Sequence, residues 1–167
     1  GFNVRAKSHV GAKGVMQLMP DTAEYIAEKN NRNFTKNALF DPEKNMLLGQ
    51  YYVEYLLSRH LIGGNIFFLA AAYNAGPNKL GKWLKNIEYD DDPLLFVESI
   101  PSRETRNFVE QVMANYWIYR DRLGDKNRSI DAVLKGKWPL YSGYEKRQRR
   151  ARSRGMTSML QFSPEAR

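Results

Sequence analysis

The sequence predicts an all-α fold. Apolar residues recur at spacings of three and four along several segments, and helix-starting and helix-stopping residues separate those segments. No convincing alternation of apolar and polar residues marks a strand. The 167 residues suit one domain, and with 43% of them hydrophobic the core needs no covalent staple. Cysteine is absent, which excludes structural disulfides and cysteine-ligated zinc but leaves the compartment open. No apolar run approaches the roughly 20 residues that cross a bilayer.

The elements follow in order. In Ser8 to Pro20, SHVGAKGVMQLMP, two glycines (Gly11 and Gly14) flank a turn of small residues that delivers Met16, Gln17, Leu18 and Met19. Pro20 then opens a helix through Asp21, Thr22 and Ala23. Asp41-Pro42-Glu43 starts the next helix with an N-cap side chain, a proline at the first position and an acid at the positive end of the dipole. Behind it Leu48, Tyr51, Tyr52, Tyr55 and Leu56 form one apolar face. Gly49 inside that helix costs about 1 kcal/mol against alanine, and close approach of a neighbouring helix would account for it.

Asn65 to Tyr73 is apolar nearly all round, as befits a helix in the middle of a bundle. Gly76-Pro77 stops it, leaving Tyr73 and Asn74 at the end of a buried helix, held rigidly and able to face a cleft. Leu80, Trp83, Leu84 and Ile87 mark a further helix, and Asp90-Asp91-Asp92 before Pro93 is a helix-starting loop. The longest helix runs from Ser102 or Arg103 to Leu123, with Phe108, Val112, Tyr116 and Tyr119 on one stripe.

The net charge of +8 is uneven: from Glu145 to Arg167 seven basic residues face two acids, so this segment carries +5. Residues 1–144 are read as the folded domain and 145–167 as a basic, disordered tail. The arginines of Lys146 to Arg154 could neutralise phosphates, but they lack interleaved aromatics and a folded scaffold, so no nucleic-acid partner is expected. His9 and His60 stand apart without an acidic or sulfur ligand pattern, and no metal site is expected.

Three stretches resist a purely structural account. A glutamine amid Val15, Met16, Leu18 and Met19 must satisfy its amide on the backbone or on a polar ligand. In Ala71-Ala72-Tyr73-Asn74-Ala75-Gly76-Pro77 the plain alternative is a core tyrosine and a capping asparagine. In Ile100-Pro101-Ser102-Arg103-Glu104-Thr105-Arg106-Asn107-Phe108-Val109 it is a helix start with Ser102 as N-cap and Glu104 in the first turn.

In this order and at these spacings, the three stretches resemble the soluble lytic transglycosylases, peptidoglycan-cleaving relatives of goose-type lysozyme. The family shows SxxGAxGLMQLMP, then AAYNAGP, then IPxxETRxYV, and the match covers residues 1–125. Family members also carry a Glu-Ser pair followed by a small residue, an aromatic and Asn, and Gly1-Phe2-Asn3 matches the last three. The resemblance therefore places the catalytic glutamate two residues before Gly1, which is read as an internal position of a longer chain. Ser102 departs from the aromatic residue that often follows Ile-Pro, and altered contacts at one sugar subsite are expected there.

The resemblance implies a lysozyme-like helical domain and a single glutamic acid that performs both proton transfers. The acid protonates the oxygen between N-acetylmuramic acid and N-acetylglucosamine. It then takes the proton of the muramoyl 6-hydroxyl, which closes on C1 to give a 1,6-anhydro product without water. An apolar wall must keep that acid protonated, and Val15, Met16, Leu18 and Met19 are suitable material. The resemblance further implies that Tyr73 lies against the acid and the N-acetyl group, while Gln17 and Asn74 serve the sugar or hold the cleft. Ser8, Met19 and Glu104 line the groove on the same grounds, and Arg106 braces the fold. It calls for no cofactor, a monomer acting on peptidoglycan glycan strands, and a periplasmic or envelope location in a Gram-negative bacterium. A water-using muramidase of the same fold and a non-catalytic peptidoglycan-binding module are the alternatives.

Overall fold

The computed structural model describes residues 3–141, so the basic tail read at 145–167 lies outside the described residues. Tertiary contacts gather the chain into two compact units, one up to Gly63 and one from Gly64 onward. The predicted all-α class holds: the described residues form α-helices, one short 3-10 helix and only isolated β-bridges.

The first unit carries an irregular segment (residues 3–19), α1 (Pro20–Lys29), the 3-10 helix (Lys36–Phe40) and α2 (Pro42–Ser58). Pro20 occupies the first position of α1, where a missing N–H costs nothing, and Ala23, Ile26 and Ala27 turn inward onto α2. The α2 start is built as the sequence indicates. Asp41 caps it by accepting from the N–H groups of Glu43 and Lys44, and the bond from Lys44 leads in holding this carboxyl below its ordinary pKa. Its buried face is Asn45, Leu48, Gly49, Tyr52 and Leu56.

Gly49 is needed for a different neighbour from the one expected. A Cβ there would come 2.7 Å from Met16 Cε and Cγ, so the close partner is a loop side chain and not a second helix. An alanine would displace Met16.

The second unit is built on α3 (Ile66–Ala75), with α4 (Pro77–Asn86), α5 (Pro93–Ser99), α6 (Arg103–Arg122) and α7 (Arg128–Val133). Asn65 caps α3 through its side chain, which accepts from Phe67 N–H and Phe68 N–H. Ile66, Phe67, Ala70, Ala71 and Ala72 are all buried. That agrees with an apolar helix flanked on several sides, here by α6 and α4. Gly76, at φ 88°, ends α3, and Pro77 then opens α4 directly, so the Gly-Pro pair starts a helix as well as stopping one.

Phe96 of α5 is fully buried in an aromatic cluster with Phe68, Tyr89 and Trp138, whose rings meet edge-on or tilted at 4.9–5.9 Å. Trp138 Nε1 donates to Asp91 Oδ1, Ile66 N–H donates to Pro139 O, and Tyr141 N–H donates to Gly64 O. The last two bonds tie residues 139–141 to the start of α3, and the first ties Trp138 to the loop before α5.

The α6 stripe is a correction. Its inward face is Thr105, Val109 and Met113, with Tyr116 and Trp117 half-buried. Val112 and Tyr119 are exposed. Two phases about one residue apart both satisfy spacings of three and four, and the tyrosines drew the reading to the wrong one. Neither α7 nor the 3-10 helix was foreseen. Trp117 Nε1 donates to Ser129 Oγ and Asn127 Nδ2 donates to Trp117 O, so polar bonds hold α7 to α6.

Candidate functional site

The predicted site residues fall into two sets, Ser8, Gln17 and Met19 in the first unit and Tyr73, Asn74 and Glu104 in the second. In the first, residues 13–18 form a tight loop closed by two backbone bonds. Lys13 N–H donates to Leu18 O (2.9 Å), and Leu18 N–H donates to Lys13 O (3.1 Å). Four residues span the loop, and the last, Gln17, takes φ 47°. The left-handed region favours glycine, and a side chain there costs roughly 1–2 kcal/mol. Gln17 is also exposed, so burial does not repay that cost.

The Gln17 amide is half engaged. Its Nε2 donates to Gly14 O at 2.7 Å and more weakly to Ala6 O at 3.5 Å. Among the described residues nothing donates to its Oε1. The glutamine is thus anchored by its donor end and presents an acceptor.

A residue that the sequence reading passed over holds this loop. Asn45 in the first turn of α2 is fully buried, and its Oδ1 accepts from Met16 N–H at 2.7 Å. Its Nδ2 donates to Lys13 O and to Leu39 O, both at 3.1 Å. Gly14 must be glycine on two counts: its φ is 74°, and a Cβ would collide with Leu39 O and the Asn45 amide. The sequence signal was slight, one polar residue on the inward face of an amphipathic helix.

Ser8 is half-buried and spends its acceptor locally, taking the Ala12 N–H at 2.9 Å. Met19, 40% exposed, is the N-cap residue of α1 in extended backbone.

In the second unit, Tyr73 and Asn74 lie in the last turn of α3, as expected. The Tyr73 ring is half-buried and stacks on Phe108 of α6, centroids 6.3 Å apart and planes 3° from parallel. Asn74 Oδ1 accepts from the Thr105 hydroxyl at 2.7 Å. Thr105 is itself 1% exposed, and its N–H donates to the capping Ser102 Oγ. The structure therefore joins Asn74 to the start of α6, a bracing bond. Glu104 is exposed in the first turn of α6, one residue from that junction. Arg106 donates to Ile100 O at 2.6 Å, bracing the turn before α6. Among the described residues no group of three or more His, Asp or Glu side chains could hold a metal ion.

The sequence profile described as the Transglycosylase SLT domain matches residues 1–95, more than half of the chain. The chain belongs to this family. Among its relatives is the soluble lytic murein transglycosylase of Escherichia coli K12, 39% identical over 138 residues, which are 81% of this chain and 21% of that protein. The crystal structure of the 70 kDa soluble lytic transglycosylase from E. coli superposes with a TM-score of 0.69 at 41% identity, covering 75% of this chain and 20% of that one. An inactive glutamate-to-glutamine mutant of the lytic transglycosylase Slt from Pseudomonas aeruginosa gives 0.66 at 31% identity, covering 84% and 21%. The chain thus spans about a fifth of the length of the relatives it matches.

Within this SLT domain, the Asn74–Thr105 junction makes a direct stability prediction. Thr105→Val keeps the shape but leaves Asn74 Oδ1 without its donor, and it should cost about 1–3 kcal/mol of unfolding free energy. Thr105→Ser retains the hydroxyl and should lose markedly less. A larger loss from Thr105→Ser than from Thr105→Val in denaturant titrations would show that the methyl group, not the hydrogen bond, is what matters.

Proposed function

We propose that the chain is the catalytic SLT domain of a peptidoglycan lytic transglycosylase, cleaving the bond from N-acetylmuramic acid to N-acetylglucosamine and leaving a 1,6-anhydromuramoyl end. Gln17 carries the proposal. An exposed glutamine kept in left-handed backbone, its donor end anchored and its acceptor end unused, is a strain that ligand contact explains better than stability does. The resemblance of residues 8–20 to the family's SxxGAxGLMQLMP segment, which implies a sugar-serving role for the same glutamine, supports this reading.

The chemistry needs one acid in an apolar setting. A carboxylic acid two residues before Gly1 gives its proton to the glycosidic oxygen as the bond to C1 breaks. The same group, now a carboxylate, takes the proton of the 6-hydroxyl, whose oxygen forms the new bond to C1. No water is consumed and one group serves twice, so a second catalytic carboxylate is not needed. The inactive glutamate-to-glutamine mutant of the P. aeruginosa relative is consistent with that economy.

The residues of this chain do the binding and positioning. Gln17 Oε1 accepts from a sugar hydroxyl or N-acetyl N–H. Tyr73, held by α3 and the Phe108 ring, serves the N-acetyl group, as the family resemblance implies. Ser8, Met19 and Glu104 are the further candidates for glycan contact, and Asn74 acts mainly through its bond to Thr105. Val15 and Met16, both half-buried, supply apolar surface that keeps a neighbouring carboxyl protonated. Residues 1–144 serve as one catalytic domain, monomeric and without nucleic acid or cofactor, in the periplasm or cell envelope of a Gram-negative bacterium.

The full-length protein carrying this chain should release anhydromuropeptides from purified sacculi, read by mass spectrometry. Products with reducing ends would make it a muramidase, and no release with retained binding would make it a non-catalytic module. In the same protein Tyr73→Phe keeps the ring stack. Turnover should fall ~100-fold or more while stability moves by less than about 1.5 kcal/mol. Parallel loss of both would return Tyr73 to a packing role.

A further inference from the structure

We propose that Asn45 is the positioning residue of this site, a buried amide that sets the backbone of Gln17 from α2 without touching substrate. The proposal deepens the transglycosylase reading and rests on it for its catalytic consequence, but its structural half stands alone.

Asn45 is the fourth residue of α2, and the Asp41 cap and Pro42 fix its direction. From there one planar amide reaches two other segments. Its oxygen takes the Met16 N–H, and its two protons go to the carbonyls of Lys13 and Leu39. All its donors are used, and no part of the residue is exposed. Lys13 and Met16 bracket Gly14 and Val15, so the amide grips both ends of the segment that leads into Gln17. The Leu39 bond adds the 3-10 helix as a fixed reference, and the Lys13–Leu18 pair closes the loop from the other side.

The inventory of atoms is specific. An acceptor and two donors at this length are offered by asparagine alone among the side chains. Aspartate would set oxygens against two carbonyl oxygens, glutamine adds a methylene to a filled site, and alanine or leucine offers no polar atom. A residue kept only for α2 packing would be apolar. The bonds run 29 and 32 positions back along the sequence to one loop, and that loop holds the one strained, half-engaged glutamine. Without the clamp, the backbone at Gln17 has reason to relax to negative φ, carrying its side chain away from its place.

The test uses the full-length protein with Asn45→Ala, Asn45→Asp and a control, Leu56→Ala. Leu56 is fully buried in the same helix, eleven residues and so roughly 16 Å further along its axis. Crystal structures should show residues 13–18 rearranged or lost, with Gln17 out of the left-handed region, in Asn45→Ala and not in Leu56→Ala. Turnover on sacculi should fall ~100-fold in Asn45→Ala with KM changed only a few fold, while Leu56→Ala, assayed where it is folded, stays within about threefold of the parent. Asn45→Asp should recover part of the loss as pH falls, because the protonated carboxyl regains one donor. An Asn45→Ala protein with Gln17 still at positive φ, or with kinetics matching Leu56→Ala and no acid recovery of Asn45→Asp, overturns the proposal. Should the unmutated protein lack activity, the transglycosylase reading fails, and the Gln17 backbone in the two alanine variants still decides the clamp.

Discussion

One buried amide organises the first unit. Asn45 spends its oxygen and both its protons on backbone groups of two other segments, and a polar side chain without solvent has no cheaper way to exist. Each such bond contributes only about 1 kcal/mol net, yet losing a partner strands groups at about 1–3 kcal/mol each. That asymmetry makes the loop at residues 13–18 all-or-none. It also accounts for Gly14, where any side chain would occupy the space the amide fills, and for Gly49, which leaves room for Met16 on the same helix. The loop can hold Gln17 at a cost of roughly 1–2 kcal/mol because these contacts over-determine its shape.

The second unit reaches a comparable result by other means. Here α3 is apolar around most of its circumference, so packing on α6 and α4 fixes its end, where Tyr73 and Asn74 sit. The Thr105 hydroxyl then links that end to the capped start of α6, and the parallel ring of Phe108 sets the plane of Tyr73. In both units the candidate site side chains are held by neighbours that have no part in the proposed sugar contacts. Such support is what the proposed single-carboxyl reaction would require, since positioned dipoles must already be in place when charge develops on a sugar.

Much of this could be read from residues alone, for identifiable reasons. Caps and prolines act locally, so Asp41-Pro42 and Asp92-Pro93 were legible as helix starts, and Asn65 to Tyr73 declared its burial by lacking a polar face. The Gln17 and Tyr73 motifs were legible because their order and spacing are rare in combination. Asn45 was not: an asparagine in a first helical turn has many local uses, and its partners lie 29 and 32 residues away. The inward face of α6 was misread for a related reason. Periodicity gives spacing without phase, and only packing against α3 selects Thr105, Val109 and Met113 over Val112 and Tyr119. Asn74 had two open roles, sugar contact and structure, and its bond to Thr105 is the kind of fact only a fold supplies.

On the proposed function, the amide-clamped loop presents the Gln17 acceptor to a glycan. A crystal structure of the full-length protein with a bound 1,6-anhydromuropeptide tests it most directly. Gln17 Oε1 should lie within hydrogen-bonding distance of a ligand N–H or hydroxyl, its backbone still left-handed and the three Asn45 bonds intact. A muropeptide bound with no contact from residues 13–19 would contradict it.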